Sequence, residues 1–182
     1  MAQVLEESLN TGSIFVARKV GREHFFEYVK NFGFGVKTGV ELIPEARGDV
    51  SSLKDKRDIY LATASFGQGI SVTPLQMVTS FAVLANGGIM VKPTIIDEII
   101  HPDGTHEKEK SSLGRRVISE NASSIISGML VNVVRNGHGK KAGVPLYYIA
   151  GKTGTAQVPR KDKKGYEAGA SIGSFVGYGP VQ

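Results

Sequence analysis

The chain has 182 residues, of which 41% are hydrophobic and 21% charged, and its formal net charge is +5. This length and composition indicate one soluble globular domain or most of one. Because there is no cysteine, disulfides, thiolate catalysis and cysteine-ligated metals are excluded. The four histidines lack zinc-site spacing, so we expect no metal and no cofactor. The basic residues lack interleaved aromatics, so we expect no nucleic-acid partner.

No apolar run reaches the roughly eighteen residues that a membrane-spanning helix needs. Residues 1–10 carry two glutamates and no apolar centre, which is unlike a signal peptide. We therefore expect any membrane anchor or export signal to lie outside these residues.

The first third of the chain is predicted to be helical and then irregular. Apolar spacing predicts helices over residues 3–10, 13–20 and 22–32. The last of these carries an aromatic stripe that we expect in the core, made of Phe25, Phe26, Val29 and Phe32. Residues 33–39 are predicted to be a glycine-rich loop, and 42–58 an irregular polar connection.

A central helix has the clearest boundaries. Thr73 is predicted as its N-cap, with Pro74 at the first helical position and Gln76 closing a capping box. Asn-Gly-Gly at 86–88 ends it. Apolar residues cover nearly all of its faces, so we expect it to be buried on most sides.

The segment after this helix is predicted to contain two short strands and another helix. The strands lie at residues 89–91 and 94–100, followed by a charged, turn-rich stretch with a turn at 102–104. Ser119 is predicted to cap a helix that continues to Arg135.

Two further strands are predicted at residues 146–158 and 170–178, joined by the charged loop 159–169. A basic run at 161–164 is expected at the solvated tip of this hairpin. The order of elements predicts an α+β fold, an antiparallel sheet flanked by helices. Because the last strand lies close to the chain end, we expect the sheet to be incomplete.

The strongest local signal is Gly-Lys-Thr-Gly-Thr at residues 151–155, inside a predicted strand. Lys152 supplies positive charge, and Thr153 and Thr155 share one face. Gly154 between them lets a ligand approach the backbone. Such a strand edge is suited to bind a carboxylate-bearing peptide in extended form, by strand addition.

Three weaker motifs have more ordinary interpretations. A P-loop would need glycine where Leu146 stands, which argues against nucleotide binding. A second Lys-Thr-Gly at residues 37–39 lies in the glycine-rich loop and is predicted to be a turn. Ser8 and Asn10 form a Ser-x-Asn triplet at a predicted helix end, which alone indicates only helix termination.

Taken together, the motifs resemble those of the penicillin-binding protein transpeptidases, specifically the monofunctional class B type. They occur in the family's order with similar spacing and cover essentially the whole chain. The matching segments are Ser-Leu-Asn at 8–10, Ser-Phe-Gly-Gln-Gly-Ile at 65–70, Thr-Pro-Leu-Gln at 73–76, Ala-Asn-Gly-Gly at 85–88, Lys-Thr-Gly-Thr-Ala-Gln at 152–157 and Ser-Phe-Val-Gly-Tyr at 174–178.

The resemblance implies a peptidoglycan D,D-transpeptidase domain. Such an enzyme forms a serine acyl-enzyme with the D-Ala-D-Ala end of a stem peptide, and a neighbouring strand's amine then attacks to make a crosslink. The implied ligands are stem peptides and β-lactams, and the implied protein partners are other division or elongation proteins. The implied location is the extracytoplasmic face of the bacterial cytoplasmic membrane, on an N-terminal anchor outside these residues.

Four catalytic residues follow from the motif match. Ser8 would relay a proton among the nucleophile, its lysine and the leaving amine, and Asn10 would hold the substrate's peptide carbonyl. Lys152 would place positive charge near that network. The N–H of Thr155 would form half of the oxyanion hole, and the nucleophile's own N–H would form the other half.

The motif match also implies the substrate-binding residues. Thr153 and Thr155 would bind the terminal carboxylate. Gly154 and Gln157 would be the other substrate-binding residues on the same strand.

The family's nucleophile lies in a Ser-x-x-Lys motif that precedes the Ser-x-Asn triplet. The one such match here, at residues 51–54, follows the triplet and lies in the polar connection, so we interpret it as coincidence. We therefore expect residues 1–182 to be a partial transpeptidase domain without the nucleophile segment and the C-terminal end of the sheet. Alone, it is expected to be inactive and prone to self-association.

Other functions stay open from the sequence. A D,D-carboxypeptidase or a β-lactamase-type hydrolase would use water instead of an amine to attack the acyl-enzyme. A non-catalytic β-lactam sensor would retain binding without turnover.

Overall fold

A computed structural model of the chain describes residues 1–108, 114–160, 162 and 165–181 and shows an α+β fold. Its helices are α1 (Ala2–Glu6), α2 (Asn10–Val20), α3 (Arg22–Asn31), α4 (Asp58–Ala64), α5 (Pro74–Ala85) and α6 (Glu120–Arg135). Its strands are β1 (Ile89–Met90), β2 (Glu98–Ile100), β3 (His106–Lys108), β4 (Arg115–Arg116), β5 (Ala150–Pro159) and β6 (Tyr166–Tyr178). The strands form three antiparallel pairs: β1 with β4, β2 with β3 and β5 with β6. Over the described ranges, no helix has the length and apolar character needed to cross a membrane.

The first predicted helix ends earlier than expected. Residues 3–10 were predicted to be helical, but α1 ends at Glu6 and α2 begins at Asn10. Ser8, between them, has a left-handed backbone with φ of 51°. The N–H of Leu9 donates to the carbonyl oxygen of Val4 at 2.9 Å, the bond that typically closes a helix on a left-handed residue. The Ser-x-Asn triplet therefore spans a break between two helices.

The aromatic stripe of α3 lies in the core, as predicted for three of its four members. Phe25, Phe26 and Val29 pack against a buried cluster of Val50, Leu53 and Ala64. Phe32 instead lines a separate cavity of about 200 Å³. Leu53 belongs to a short 3-10 turn, Ser51–Lys54, inside the connection that was predicted to be irregular.

Helix α4 had no prediction from the sequence. It has seven residues and no side-chain cap, and it is joined to α2 by an Arg18–Asp58 ion pair of 2.6 Å. It buries Leu61, Ala62 and Ala64. Because a helix this short is marginal without tertiary contacts, its sequence gives little local signal.

Helix α5 has the predicted start but a different buried face. Both hydrogen bonds of the Thr73–Gln76 capping box are present. The buried residues are Gln76, Thr79, Ser80 and Val83. Val78 is 59% exposed, but most positions of the helix are buried or half-buried, as predicted. The polar stripe can be buried because its side chains are hydrogen-bonded, Thr79 to the Leu75 carbonyl oxygen and Ser80 to that of Met77.

The middle strands are shorter than predicted. The strand predicted at residues 94–100 is reduced to β2, which pairs with β3 across the predicted turn at 102–104. The N–H of Gly104 donates to the His101 carbonyl oxygen at 3.0 Å in that turn. Helix α6 begins as predicted, because the Ser119 hydroxyl oxygen accepts the N–H of Ala122.

The hairpin of β5 and β6 is the longest sheet element. Leu146, with φ of 70°, lies outside β5, so this strand starts later than the prediction of 146–158. Strand β6 starts earlier than predicted, at Tyr166 opposite Pro159. Most of the basic run predicted at the tip, residues 161, 163 and 164, lies outside the described residues. The Tyr178 hydroxyl bonds the Ser127 hydroxyl of α6 at 2.6 Å, which fixes the hairpin on the helices.

Candidate active site

Strand β5 presents the Lys-Thr-Gly-Thr segment along one edge of the hairpin. Its residues pair with β6 in continuous register from Ala150–Tyr178 to Gln157–Ser171. In the part of the chain that the structure describes, no strand pairs with the other edge of β5. Ala150 and Gly151 are buried, whereas Thr155 and Gln157 are exposed. The outer half of this edge can therefore accept an extended peptide.

The structure brings Ser8 and Lys152 together, although they are far apart in sequence. The Nζ of Lys152 donates to the Oγ of Ser8 at 2.8 Å and to the carbonyl oxygen of Thr153 at 2.9 Å. The left-handed backbone at Ser8 places this serine at the break between α1 and α2. A direct hydrogen bond thus joins the two motifs.

Burial changes the proton affinity of Lys152. The side chain is half-buried, and desolvation of its ammonium group lowers its pKa below the ordinary value of 10.5. A lysine with a lowered pKa exchanges protons more readily near neutral pH, which suits a proton network.

The remaining predicted residues lie close to these two along the chain. Asn10 is the first residue of α2, two positions after Ser8, and its side chain is exposed. Thr153, Thr155 and Gln157 alternate along β5 and so share one face of the strand.

Gly154 has a close neighbour on β6 that the sequence did not reveal. A Cβ at this position would lie 2.7 Å from the Oγ of Ser174 on β6. A larger residue at this position would therefore require the Ser174 hydroxyl to rotate away.

Beyond Gln157, the edge of β5 opens into a groove that the sequence analysis missed. It has a volume of about 260 Å³ and lies between the end of the hairpin and the loop after α4. Asp49, Gln68 and Tyr166 are among the residues that line it. The sequence analysis assigned no site role to Gln68 or to Asp49, since only tertiary packing brings these residues to β5.

The second Lys-Thr-Gly segment was predicted to be a turn, but it lies in an irregular stretch of the loop that follows a turn at residues 32–35. The donor groups of this segment bind the carboxylate of Glu45. That carboxylate accepts from the N–H and hydroxyl of Thr38, at 2.6 and 2.7 Å, and from the N–H of Gly39 at 3.1 Å. The hydrogen bond from the Thr38 hydroxyl is the main cause that lowers the pKa of Glu45.

The Ser-x-x-Lys match at residues 51–54 has a structural role. Ser51 donates its N–H to the Asp49 carboxylate at 2.8 Å, and the Ser52 hydroxyl donates to the Gly69 carbonyl oxygen at 2.8 Å. The motif forms the 3-10 turn that carries the buried Leu53.

Comparisons with known proteins show which family the chain resembles in sequence and fold. The family described as "Penicillin binding protein transpeptidase domain" matches residues 1–182. Stage V sporulation protein D of Bacillus subtilis is 39% identical over 181 residues, covering 98% of this chain and 28% of that protein. The probable peptidoglycan D,D-transpeptidase FtsI of Caulobacter vibrioides is 32% identical over 184 residues, covering all of this chain and 30% of that protein. Penicillin binding protein 3 of Mycobacterium tuberculosis, solved in complex with ampicillin, superposes with a TM-score of 0.93 at 34% identity, covering 97% of this chain and 41% of that one.

The chain belongs to the transpeptidase-domain family of penicillin-binding proteins, and within that family to the class B proteins. It spans 28% of the length of the B. subtilis relative.

Proposed function

We propose that the chain provides the substrate-binding strand and the proton-relay serine of a peptidoglycan D,D-transpeptidase. The observation that carries the proposal is the 2.8 Å hydrogen bond from Lys152 to Ser8, beside the edge of β5 that pairs with no strand among the described residues. This contact joins two motifs of the family across 144 positions of sequence.

In this proposal the terminal carboxylate of a stem peptide binds along β5. The hydroxyls of Thr153 and Thr155 donate to it, and the nearby Lys152 ammonium adds favourable electrostatics. The carbonyl under attack lies at the N–H of Thr155, which stabilises the developing oxyanion. Asn10 donates to the peptide carbonyl of the preceding residue.

Ser8 is suited to pass a proton. A hydroxyl has one donor and two acceptor positions, and Ser8 already accepts from Lys152. Its own O–H can therefore donate to the leaving amine while Lys152 replaces the proton. The lowered pKa of Lys152 reduces the cost of that second transfer.

The nucleophile of this proposal is a serine in another segment of the protein, so that residues 1–182 are one part of the transpeptidase domain. Two findings support this: residues 51–54 have a structural role, and the relatives are more than three times longer than this chain. The protein's site would face peptidoglycan on the outer side of the cytoplasmic membrane, together with division or elongation partners. The relatives' names, a sporulation protein and FtsI, support that setting.

Intact-mass analysis after incubation with a penicillin tests the proposal on this chain beside the full-length gene product. We expect the full-length protein alone to gain one penicilloyl group. Labelling of this chain at Ser51 or Ser8 would contradict the assignment of the motifs. Release of crosslinked product with an amine acceptor, rather than of tetrapeptide with water, distinguishes the transpeptidase from a carboxypeptidase.

A further inference from the structure

The groove at the outer end of β5 has a preformed wall. Asp49 and Ser71 join its far wall through two backbone hydrogen bonds of 2.8 Å, each donating its N–H to the other's carbonyl oxygen. The Ser52 hydroxyl fixes the neighbouring Gly69 carbonyl at 2.8 Å. Gly48 permits this closeness, because its φ is 65° and a Cβ there would lie 2.4 Å from the Ser71 carbonyl oxygen. The wall is therefore held in place without a ligand.

The position of the groove matches one residue of an extended peptide. From Thr155 to Gln157 a strand advances by two residues, or about 6.6 Å. Towards the other end of β5, Ala150 and Gly151 are buried, so a peptide anchored at Thr153 and Thr155 can extend only towards Gln157. A peptide lying alongside β5 advances at the same rate, so its third residue from the C-terminus faces the groove.

The groove has one charged wall residue among those the structure describes. Asp49 is exposed, and the other polar residues that line the groove, Gln68, Gln157 and Tyr166 among them, are uncharged. One carboxylate oxygen, Oδ1, accepts the N–H of Ser51 at 2.8 Å. Arg47 and Lys54 lie close enough to act on the Asp49 charge, but neither lines the groove.

We propose that this groove binds the third residue of the stem peptide and that Asp49 selects a side chain ending in an ammonium group. Lysine and diaminopimelate both carry that group, and diaminopimelate adds a carboxylate. This inference rests on the proposed function, which places the peptide's C-terminus at Thr153 and Thr155.

The test is competition between synthetic pentapeptides and a fluorescent penicillin on the full-length protein. The peptides end in D-Ala-D-Ala, are acetylated at the N-terminus and carry lysine, Nε-acetyl-lysine or diaminopimelate at the third position. We expect the lysine peptide to slow labelling at a concentration about two- to fivefold lower than the acetyl-lysine peptide, as for a solvent-exposed ion pair. A diaminopimelate peptide that competes better than the lysine peptide identifies that residue as the natural ligand, and the reverse order identifies lysine.

Asp49→Asn is the decisive variant, because its amide oxygen can still accept the Ser51 N–H. It should remove the difference between the lysine and acetyl-lysine peptides. The matched control is Asp103→Asn, since Asp103 accepts the Thr105 N–H in the same way but lies in the β2–β3 turn. The control should keep the difference.

Separate results overturn the inference and the proposed function. Equal competition by the lysine and acetyl-lysine peptides, lost when the C-terminus is amidated, would overturn the role of Asp49 and leave the proposed function standing. Absence of penicillin labelling in the full-length protein would overturn the proposed function, and this inference with it.

Discussion

Lys152 donates a hydrogen bond to Ser8, and its side chain is half-buried. Desolvation disfavours the charged ammonium form in the folded chain and so lowers the pKa of Lys152. That cost is present at neutral pH and disappears as the pH rises towards 10.5, the ordinary value. Residues of this kind are typical of sites where function is favoured over stability.

We expect Lys152→Met to separate these two effects. Methionine keeps most of the buried volume and removes the desolvated charge, so the melting temperature should stay the same or rise. Penicillin labelling of the full-length protein should fall at least about tenfold, since electrostatic stabilisation at such sites is worth a factor of ten or more. Lys56→Met, at an exposed position, is the control for both measurements. A clear loss of stability in Lys152→Met would show that the bond to Ser8 mainly holds the helices together.

Gln76 is a buried polar residue whose hydrogen bonds give it a structural role. It is 1% exposed, and its Nε2 lies within hydrogen-bonding distance of the carbonyl oxygens of Gly33, Val36 and Arg47. Its Oε1 accepts the Thr73 N–H in the capping box. The side chain therefore joins α5 to both ends of the loop that contains the second Lys-Thr-Gly segment.

Gln76→Leu should destabilise the chain by about 2–4 kcal/mol, because buried carbonyl oxygens lose their donor. Urea denaturation followed by circular dichroism measures this. Gln3→Leu, an exposed substitution in α1, should change the free energy of unfolding by less than about 0.5 kcal/mol. A loss below about 1 kcal/mol in Gln76→Leu would mean that water replaces the side chain.

At the scale of elements, the loop of residues 37–45 is held by two glutamates. Glu41 accepts from the Lys92 ammonium at 2.9 Å and from the Ile95 N–H at 3.2 Å, and Glu45 accepts from Thr38 and Gly39. The hydrogen bond from Lys92 is the main cause that lowers the pKa of Glu41 to about 2. Between these anchors, Ile43 is 96% exposed, so side-chain burial does not hold the tip.

This arrangement predicts an acid-dependent contribution to stability. Because the pKa of Glu41 is lower in the folded than in the unfolded chain, its contribution is complete above 4.5 and is lost as the pH falls towards 2. We expect Glu41→Gln to melt at a lower temperature than the wild type at neutral pH, with the gap closing over that range. Glu167→Gln, on β6, controls for the loss of one negative charge. A gap that persists at the acidic end would contradict the assignment.

The elements differ in how far the sequence determines them. The start of α5 and the cap of α6 were predicted correctly because their signals are local: Thr73 and Gln76 bond within one turn, and so do Ser119 and Ala122. Helix α4 was missed because an ion pair to α2 and buried side chains stabilise it, and neither appears in a local pattern. The polar buried face of α5 was missed because tertiary packing, and not a local pattern, decides which side of the helix is covered.

The residues of the site also differ in how far the sequence could predict them. Pattern alone placed Thr153 and Thr155 on one strand face, but only the family resemblance related Ser8 to Lys152. Asp49 could not be predicted, because its neighbours in the groove come from the loop after α4 and from both strands of the hairpin.

At the scale of the whole molecule, the hairpin leaves apolar surface exposed. Ile172 and Phe175 on β6 are 58% and 44% exposed, and within the described residues β6 pairs only with β5. An unpaired strand edge with apolar side chains is a surface on which a second chain can pair. The chain's net charge of +5 opposes association only weakly at physiological ionic strength.

We therefore expect this chain to self-associate through β6, with a weight-average mass that rises with concentration in sedimentation experiments. Ile172→Lys should reduce the rise, because a charge on an edge strand opposes pairing with another copy. Ile95→Lys is the matched control, since Ile95 is similarly exposed at 62% but lies outside the hairpin. A constant monomer mass at all concentrations, with one cooperative melting transition, would contradict the prediction. An equal effect of the two lysine substitutions would place the contact elsewhere and attribute the association to general charge.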